Sequence, residues 1–220
     1  MKKYTLLFDL DGTLLDTAPD LAYALNSVLI AHQRAPLPLA TIRPIASHGS
    51  KGLLKIGFNL DDQDPQFERL KQQLLAVYSD NIAKNTRLFI GITELITYLA
   101  NNDIRWGIVT NKPGWLTEPL LEEVRFPHPP HCIVSGDTVA RAKPYPDPLL
   151  HACRILGCPP TDCIYIGDAQ RDIQAGKAAG MKTLIASYGY IAADDKPMEW
   201  LADGAVNSPL EIIDWLKRIA

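Results

Sequence analysis

The sequence predicts an α/β fold: a doubly wound, Rossmann-like parallel sheet with a helical domain inserted after the first strand. Three observations favour it. A short apolar run, residues 4–8, stands alone before a long helical block. From Thr86 onward, short runs rich in β-branched residues alternate with helical segments, which is typical of a parallel sheet with crossovers. The isolated first strand must join that sheet to find hydrogen-bonding partners.

The helical block begins where the chain leaves the first strand. Thr17 is a candidate N-cap for a helix with apolar residues at helical spacing. These residues are Leu21, Ala24, Leu25, Val28 and Leu29. Helical sequence containing Gln and Lys continues to about Lys84. We therefore expect residues 1–16 and 86–220 to form a core domain, and residues 17–85, the insertion, to form a helical domain.

Strands and helices alternate in the rest of the chain. The strands are predicted over 105–110, 131–134, 163–166 and 182–186, and the helices between them near 92–101, 115–124, 148–156 and 172–179. Asp147 before Pro148 predicts one helix start, with an N-cap acceptor followed by proline at the first helical position. The proline-rich piece 127–130 is predicted to be a loop.

Composition narrows the possible partners. The chain has 220 residues, of which 47% are hydrophobic and 21% charged, as in an ordinary globular protein with a sizeable core. A net charge of -3 without a basic stripe argues against nucleic acid. The first apolar stretch is shorter than the roughly 7–15 residues of a signal peptide, and no run approaches the roughly 20 of a membrane span. We expect a cytoplasmic monomer or homodimer without membrane contact.

The four cysteines indicate a protein of a reducing compartment. Cys132, Cys153, Cys158 and Cys163 contain no C-x-x-C pair and lie within or beside apolar stretches. Buried, reduced structural thiols are therefore favoured over metal or redox work, because metal sites favour tighter ligand spacing.

The first predicted strand runs directly into Asp9-Leu10-Asp11-Gly12-Thr13. Residues i and i+2 of a strand point the same way, so both carboxylates are expected to face one crevice. Gly12 allows the backbone to approach a ligand closely. One acid can attack a reacting centre or bind a metal while the other moves protons.

Polar residues also follow the other predicted strands, at the edge where ligands of an open parallel sheet bind. They are Thr110 with Asn111, Lys143 with Pro144, and Asp168 with Asp172. Taken singly, these residues are a turn, a solvated lysine, a helix cap and an exposed helical acid, but their joint placement favours one site. Carboxylates from different strands suit Mg²⁺, and a hydroxyl and a lysine beside it suit a phosphoryl group. Phosphoryl transfer is the predicted chemistry.

These motifs together resemble the phosphatase branch of the haloacid dehalogenase superfamily, over essentially the whole chain. The matching stretches are residues 9–13, Thr110-Asn111, Lys143-Pro144, and Gly167-Asp168 with Asp172, Ala175-Gly176 and Ala179-Gly180-Met181. The resemblance implies that Asp9 is a nucleophile forming an aspartyl-phosphate, and that Asp11 protonates the leaving group and then activates water. It also implies that Thr110 and Lys143 bind phosphate.

The resemblance further implies a Mg²⁺ site formed by Asp9, the backbone carbonyl of Asp11, and Asp168. Asp172 would lie beside the metal or bridge to Lys143. The insertion, residues 17–85, would be the helical cap domain of this family. The expected substrate-binding residues are Gly12, Thr13 and Asn111 in the core, and Arg43, Ser50 and Lys51 in the insertion. An ordinary helix–loop–helix turn with solvated charges remains the alternative for the insertion residues.

The general layout resembles phosphoglycolate phosphatases, while stretches within 86–91, 106–113 and 187–200 resemble phosphatases of N-acetylmuramic acid 6-phosphate in peptidoglycan recycling. Both substrates carry a carboxylate and a phosphate. The sequence thus predicts Mg²⁺-dependent hydrolysis of a small carboxylate-bearing phosphomonoester. A sugar-phosphate mutase of the same superfamily and a phospho-receiver module without turnover are the alternatives, and Asp11 and the helical insertion argue against the receiver.

Overall fold

A computed structural model describes residues 4–219. Its strands are β1 (Thr5–Phe8), β2 (Leu15–Asp16), β3 (Arg87–Leu88), β4 (Trp106–Val109), β5 (Ile133–Val134), β6 (Cys163–Gly167), β7 (Lys182–Ala186) and β8 (Gly204–Val206). Within these residues, six strands form one parallel sheet in the order β5-β4-β1-β6-β7-β8. The predicted fold class is confirmed.

Helices cover both faces of this sheet and build the insertion. They are α1 (Ala18–Ala31), α2 (Leu39–Ile42), α3 (Gly49–Phe58), α4 (Phe67–Asp80), α5 (Ile92–Asn101), α6 (Gly114–Glu123), α7 (Asp147–Leu156), α8 (Gln170–Ala178) and α9 (Leu210–Ile219). Over the described residues, none of them has both the length and the apolar character that crossing a bilayer requires.

The centre of the sheet determines where a ligand can bind. All four residues of β1 are buried, as expected for a strand that is covered on both faces. Phe8 pairs with Ile108 of β4 and with Ile166 of β6, so the three strands end at the same level. Strand order reverses beside β1, and such a reversal leaves a crevice at the carboxyl ends of the strands.

The two ends of the insertion meet at a small antiparallel pair. Leu15 of β2 lies opposite Leu88 of β3, and the helices between them bury a separate apolar cluster. The buried Asp20 carboxylate accepts hydrogen bonds from the Thr86 backbone N–H at 2.9 Å and the Thr86 hydroxyl at 2.7 Å. The start of α1 is therefore anchored to the point where the chain returns to the sheet.

Two predicted helix caps are wrong in detail. Thr17 occupies the N-cap position of α1, but its hydroxyl donates to Asp11 at 2.6 Å, and the Tyr190 hydroxyl accepts from the Ala18 N–H at 2.8 Å instead. Asp147 is the first residue of α7 and not its N-cap, because its carboxylate is engaged by the Arg141 guanidinium at 3.0 Å. In both cases a charged partner outcompetes the local cap.

Candidate active site

Asp9, the residue that follows β1, lies at the floor of the crevice. Its backbone N–H donates to Ile166 O at 2.9 Å, which extends the ladder to β6 and fixes the direction of the side chain. The Asp9 Oδ1 atom accepts the Leu10 N–H at 2.8 Å and lies 2.9 Å from Lys143 Nζ. One oxygen of a buried carboxylate is thus held by a cation and a backbone donor.

Lys143 connects the carboxylates of two different elements. Its side chain is fully buried, and Nζ lies 2.9 Å from Asp9 Oδ1 and 2.8 Å from Asp172 Oδ1. Nζ also donates to Val109 O at 3.1 Å and to the Tyr165 hydroxyl at 2.7 Å. An ammonium group with this many acceptors is fixed in place, so the positive charge stands ready before any ligand arrives.

Asn111 holds the backbone that carries Lys143. The Asn111 side-chain amide donates to Lys143 O at 2.9 Å, and its Oδ1 accepts the Lys143 N–H at 3.0 Å. The side chain was predicted to bind substrate, and the structure places it beside the crevice with both polar atoms engaged by Lys143.

Three buried carboxylates converge at the ends of β1 and β6. One oxygen each from Asp9, Asp168 and Asp172 lies within 4.8 Å of the others. Oxygen-only donors of this kind fit Mg²⁺, which takes few protein carboxylates. Burial, together with the charges of Asp9 and Asp172, raises the pKa of Asp168 to about 7. A divalent cation bound among these oxygens would offset this repulsion, so the residues present fit the predicted metal.

Gly12 and Thr13 pack against the Asp168 carboxylate. Gly12 has a φ of +80°, and a Cβ at this position would lie 2.1 Å from Asp168 Oδ2, so only glycine fits. The Thr13 hydroxyl donates to Asp168 Oδ1 at 3.3 Å. Both residues were predicted to bind substrate, and the structure places them behind the Asp168 carboxylate.

Asp11 has different partners from Asp9. Its carboxylate oxygens lie 3.1 and 3.3 Å from Lys112 Nζ, and its Oδ1 also accepts the Thr17 hydroxyl at 2.6 Å. Burial opposes the charge on Lys112, but the Asp11 carboxylate outweighs it and holds the pKa of the ammonium above its usual range. The two acids of the motif are therefore each paired with their own lysine.

A cavity of about 410 Å³, the central cavity, opens above these residues between the sheet and the insertion. Its lining includes Asp9, Asp11, Thr110, Asn111, Lys112 and Arg171 from the core, and Ser47, His48, Ser50, Lys51, Leu74 and Tyr78 from the insertion. The Thr110 hydroxyl faces it while accepting the Lys112 N–H at 3.1 Å. This volume falls in the range of about 300–1,000 Å³ that is common for small-molecule sites.

The structure separates the predicted insertion residues. Ser50 and Lys51 line the central cavity, and Lys51 Nζ is paired with Asp62 at 2.6 Å. Arg43 is not among the described residues that line it, because its guanidinium is held by Asp16 at 2.8 Å.

Sequence reasoning missed Lys112, Arg171 and Ser47. Ser47 is buried, and its hydroxyl donates to Asp168 Oδ2 at 2.5 Å, which joins the insertion directly to the acidic cluster. Arg171 lies between the two predicted acids Asp168 and Asp172. Burial lowers the pKa of its guanidinium, but the charges of Asp172 and Asp9 raise it by more. In the sequence, Lys112 directly follows Asn111 and Arg171 directly precedes Asp172, so adjacency to a predicted site residue could have identified both.

The raised pKa of Asp168 predicts a pH-dependent stability of the metal-free protein. An unfolded Asp has a pKa of about 3.9, so between about pH 4 and pH 7 the unfolded chain releases a proton that the folded protein retains. The free energy of unfolding should therefore fall as the pH rises through this window, by up to about 4 kcal/mol. Urea unfolding with EDTA at several pH values measures this fall.

Asp168→Asn should flatten that pH dependence, because the amide does not titrate. Asp80→Asn, at an exposed acid, serves as the control and should leave it unchanged. Equal slopes for wild type and Asp168→Asn would contradict the assignment of the fall to this carboxyl.

Comparison with known proteins gives this geometry its context. The model of the haloacid dehalogenase-like hydrolase family matches residues 6–186. An N-acetylmuramic acid 6-phosphate phosphatase from Pseudomonas aeruginosa is 39% identical over 99% of this chain and 96% of its own. A phosphoglycolate phosphatase from Xylella fastidiosa is 40% identical over 93% of this chain and 89% of its own.

The fold has close relatives among solved structures. The crystal structure of a predicted phosphoglycolate phosphatase from Haemophilus somnus matches with a TM-score of 0.85 at 24% identity, and the match covers 98% of this chain and 99% of that one. At this identity the likeness describes the fold alone.

Proposed function

Because the chain belongs to the haloacid dehalogenase-like hydrolase family, we propose that it hydrolyses a small carboxylate-bearing phosphomonoester with Mg²⁺ as cofactor. Its relatives, which match over nearly the whole chain, identify it as a phosphomonoester hydrolase. The observation that carries the finer proposal is the separate pairing of the two acids, Asp9 with Lys143 and Asp11 with Lys112, at one cavity. Each carboxylate is thereby held for its own role.

Asp9 is the attacking group. One of its oxygens bonds to phosphorus while the ester P–O bond breaks, which leaves an aspartyl-phosphate and frees the alcohol. Lys143 stabilises the charge that develops on the phosphoryl oxygens, and the Thr110 hydroxyl faces the same space. A bound Mg²⁺ supplies positive charge that offsets the repulsion between a carboxylate and a phosphate anion. We propose that Asp9, the Asp11 carbonyl and Asp168 hold it, and that Asp172 orients Lys143.

Asp11 moves the proton in both halves of the reaction. In the first half, the Asp11 carboxyl donates its proton to the leaving oxygen. As a carboxylate again, it takes a proton from the water whose oxygen attacks phosphorus. This step releases phosphate and restores Asp9. Lys112 and Thr17 hold the Asp11 carboxylate in position between the two steps.

The substrate proposal rests on the insertion. We propose that residues 17–85 act as a cap over residues 1–16 and 86–220, and that Lys51 and Ser50 meet the substrate carboxylate. The Tyr78 hydroxyl is buried in the cavity wall beside Lys112, and we propose that it binds a substrate hydroxyl. Apolar Leu74 and Leu75 line the same wall and suit a sugar ring. These contacts favour N-acetylmuramic acid 6-phosphate, with phosphoglycolate as the second candidate.

The test is a comparison of kcat/KM for N-acetylmuramic acid 6-phosphate, phosphoglycolate and glucose 6-phosphate, with and without EDTA. We expect multiple turnovers of free phosphate, loss of activity with EDTA, and preference for the two carboxylate-bearing esters. Isomerised sugar phosphate without free phosphate would identify a mutase, and a single long-lived phosphoaspartate would identify a receiver module. Equal rates on glucose 6-phosphate would contradict the role of the carboxylate.

Substitution of two lysines should separate proton transfer from substrate binding. Lys112→Met is expected to lower kcat by about 100-fold with little change in KM, because Asp11 loses the cation that positions it. Lys51→Met should raise KM for the carboxylate-bearing ester and leave hydrolysis of a generic aryl phosphate unchanged. Steady-state kinetics on both substrates measures the two effects. If Lys112→Met raised only KM, its proposed link to proton transfer would be wrong.

Three further proposals concern the cellular location, the partners and the oligomeric state of the enzyme. We place the enzyme in the cytoplasm, because its four cysteines are free thiols although sulfur atoms approach each other to 3.4 Å. Besides Mg²⁺ and water, the reaction requires a small phosphorylated metabolite, and we propose that the chain acts as a monomer or a homodimer.

A further inference from the structure

Three of the cysteines converge at a place that the proposed reaction does not use. Cys153 lies in α7, Cys158 lies in the loop after α7, and Cys163 is the first residue of β6. The Cys163 Sγ atom is 3.6 Å from Cys153 Sγ and 3.4 Å from Cys158 Sγ, and all three sulfur atoms lie within 4.8 Å of one another. Folding therefore brings the three sulfur atoms together at one point.

This group, the cysteine cluster, is separate from the acidic cluster. It lies at the amino end of β6, whereas Asp168 follows the carboxyl end. Asp168 is five positions after Cys163, which corresponds to about 17 Å of extended chain. A ligand of the cysteine cluster would therefore not contact the reacting atoms.

The cysteine cluster has an entry path. Cys163 is fully buried, but Cys158 is partly exposed, and both Cys153 and Cys158 line a surface cavity of about 640 Å³. Arg141 and Arg154 lie in the wall of the same cavity. An ion can therefore reach the sulfur atoms from solvent; Arg141 is already paired with Asp147, which lies in the same wall.

We propose that the cysteine cluster binds one soft d¹⁰ cation, Zn²⁺ or Cu⁺, through three thiolates. Thiolate ligands select these ions over Mg²⁺. A Zn–S bond of about 2.3 Å places the sulfur atoms of a tetrahedral site about 3.8 Å apart, close to the separations in the cysteine cluster. Each ligand gives up its thiol proton to solvent on binding, and water in the cavity completes the fourth position for Zn²⁺.

The metal would join the end of α7 to the start of β6. Four residues separate Cys153 from Cys158, and four separate Cys158 from Cys163, which is the upper end of the usual spacing within a zinc site. Because binding requires the folded arrangement of all three elements, the metal should stabilise the fold. It should leave phosphoryl transfer unchanged.

The experiment uses the reduced full-length chain in excess Mg²⁺, so that the acidic cluster does not compete. Zn²⁺ is titrated against a chromogenic chelator, Cu⁺ is titrated anaerobically with near-ultraviolet thiolate absorption as the readout, and native mass spectrometry gives the stoichiometry. We expect one equivalent of at least one of the two ions, and a rise in the thermal midpoint on binding. If neither ion binds in a one-to-one complex, the proposal is overturned.

Matched variants identify the ligands. Cys158→Ser, at the most accessible thiol, should weaken binding by at least about 100-fold. Cys132→Ser removes a buried thiol of the same apolar cluster that lies outside the three, and should leave affinity unchanged. Asp168→Asn should also leave it unchanged, which separates the cysteine cluster from the acidic cluster. Equal affinities for Cys158→Ser and Cys132→Ser would overturn the assignment, and circular dichroism verifies that each variant is folded.

Discussion

Asp9→Asn is expected to lower kcat by about 10⁴-fold or more on every phosphomonoester that the enzyme hydrolyses. The amide keeps the shape of the carboxylate, but its oxygen is a poor nucleophile and carries no charge. Lys143 retains its second carboxylate partner, Asp172 at 2.8 Å, so the site should stay folded. Phosphate release with enzyme in excess over substrate, together with the intact mass of the variant, measures the loss.

Two further measurements make this result specific to the nucleophile. Asp80→Asn, at an exposed acid on the last residue of α4, should retain full activity. Rapid acid quenching of wild type with substrate should trap a protein adduct that is heavier by one phosphoryl group, and Asp9→Asn should give none. Turnover by Asp9→Asn at more than about one hundredth of the wild-type rate would assign the attack to another group.

Lys143→Met is expected to destabilise the metal-free protein by about 3–5 kcal/mol and to lower kcat by about 10²–10³-fold. The Lys143 ammonium is fully buried between Asp9 and Asp172, and its removal leaves two buried carboxylates without their shared cation. The activity falls because the phosphoryl oxygens lose a fixed positive charge. Urea unfolding with EDTA measures the stability, and initial rates in saturating Mg²⁺ measure the activity.

A double-mutant cycle shows whether the loss arises from the ion pair. Asp172→Asn in the Lys143→Met background should restore part of the stability, because one uncompensated charge is removed, and the coupling free energy should exceed about 1 kcal/mol. Lys196→Met breaks an exposed pair with Glu199 and should cost less than about 1 kcal/mol. A Lys143→Met variant no less stable than Lys196→Met would refute the structural role of Lys143.

The sheet was predictable because its strands are buried on both faces and read as continuous apolar runs. The elements that sequence reasoning missed are short or peripheral. Strands β2 and β3 have two residues each, too few to show a period, and β8 has only three. Helix α9 has buried apolar residues at helical spacing, at Ile212, Trp215 and Leu216, so the sequence is sufficient to predict it.

The candidate site was predictable where residues follow strand ends, and less so where side chains reach across loops. Asp9 and Asp168 directly follow the neighbouring strands β1 and β6, so their approach follows from the topology. The pairing of Lys112 with Asp11 does not, because it depends on a side chain that crosses between two loops. The same holds for Ser47, whose contact with Asp168 depends on how the insertion packs over the sheet.

The antiparallel pair of β2 and β3 determines which inserted segments this fold can accept. The chain leaves the core at β2 and re-enters it at β3, and these two hydrogen-bonded strands lie about 4.8 Å apart. The distance between the two ends of the insertion therefore does not depend on the length of the insertion. Loop-closure entropy rises only slowly with length, so a foreign segment of another size can be grafted at these two strands at little cost to the core. We propose that the insertion selects the substrate while the core carries most of the chemistry, so chimeras joined at Asp16 and Arg87 that keep Thr17 and Ser47 provide a route to exchange one while keeping the other.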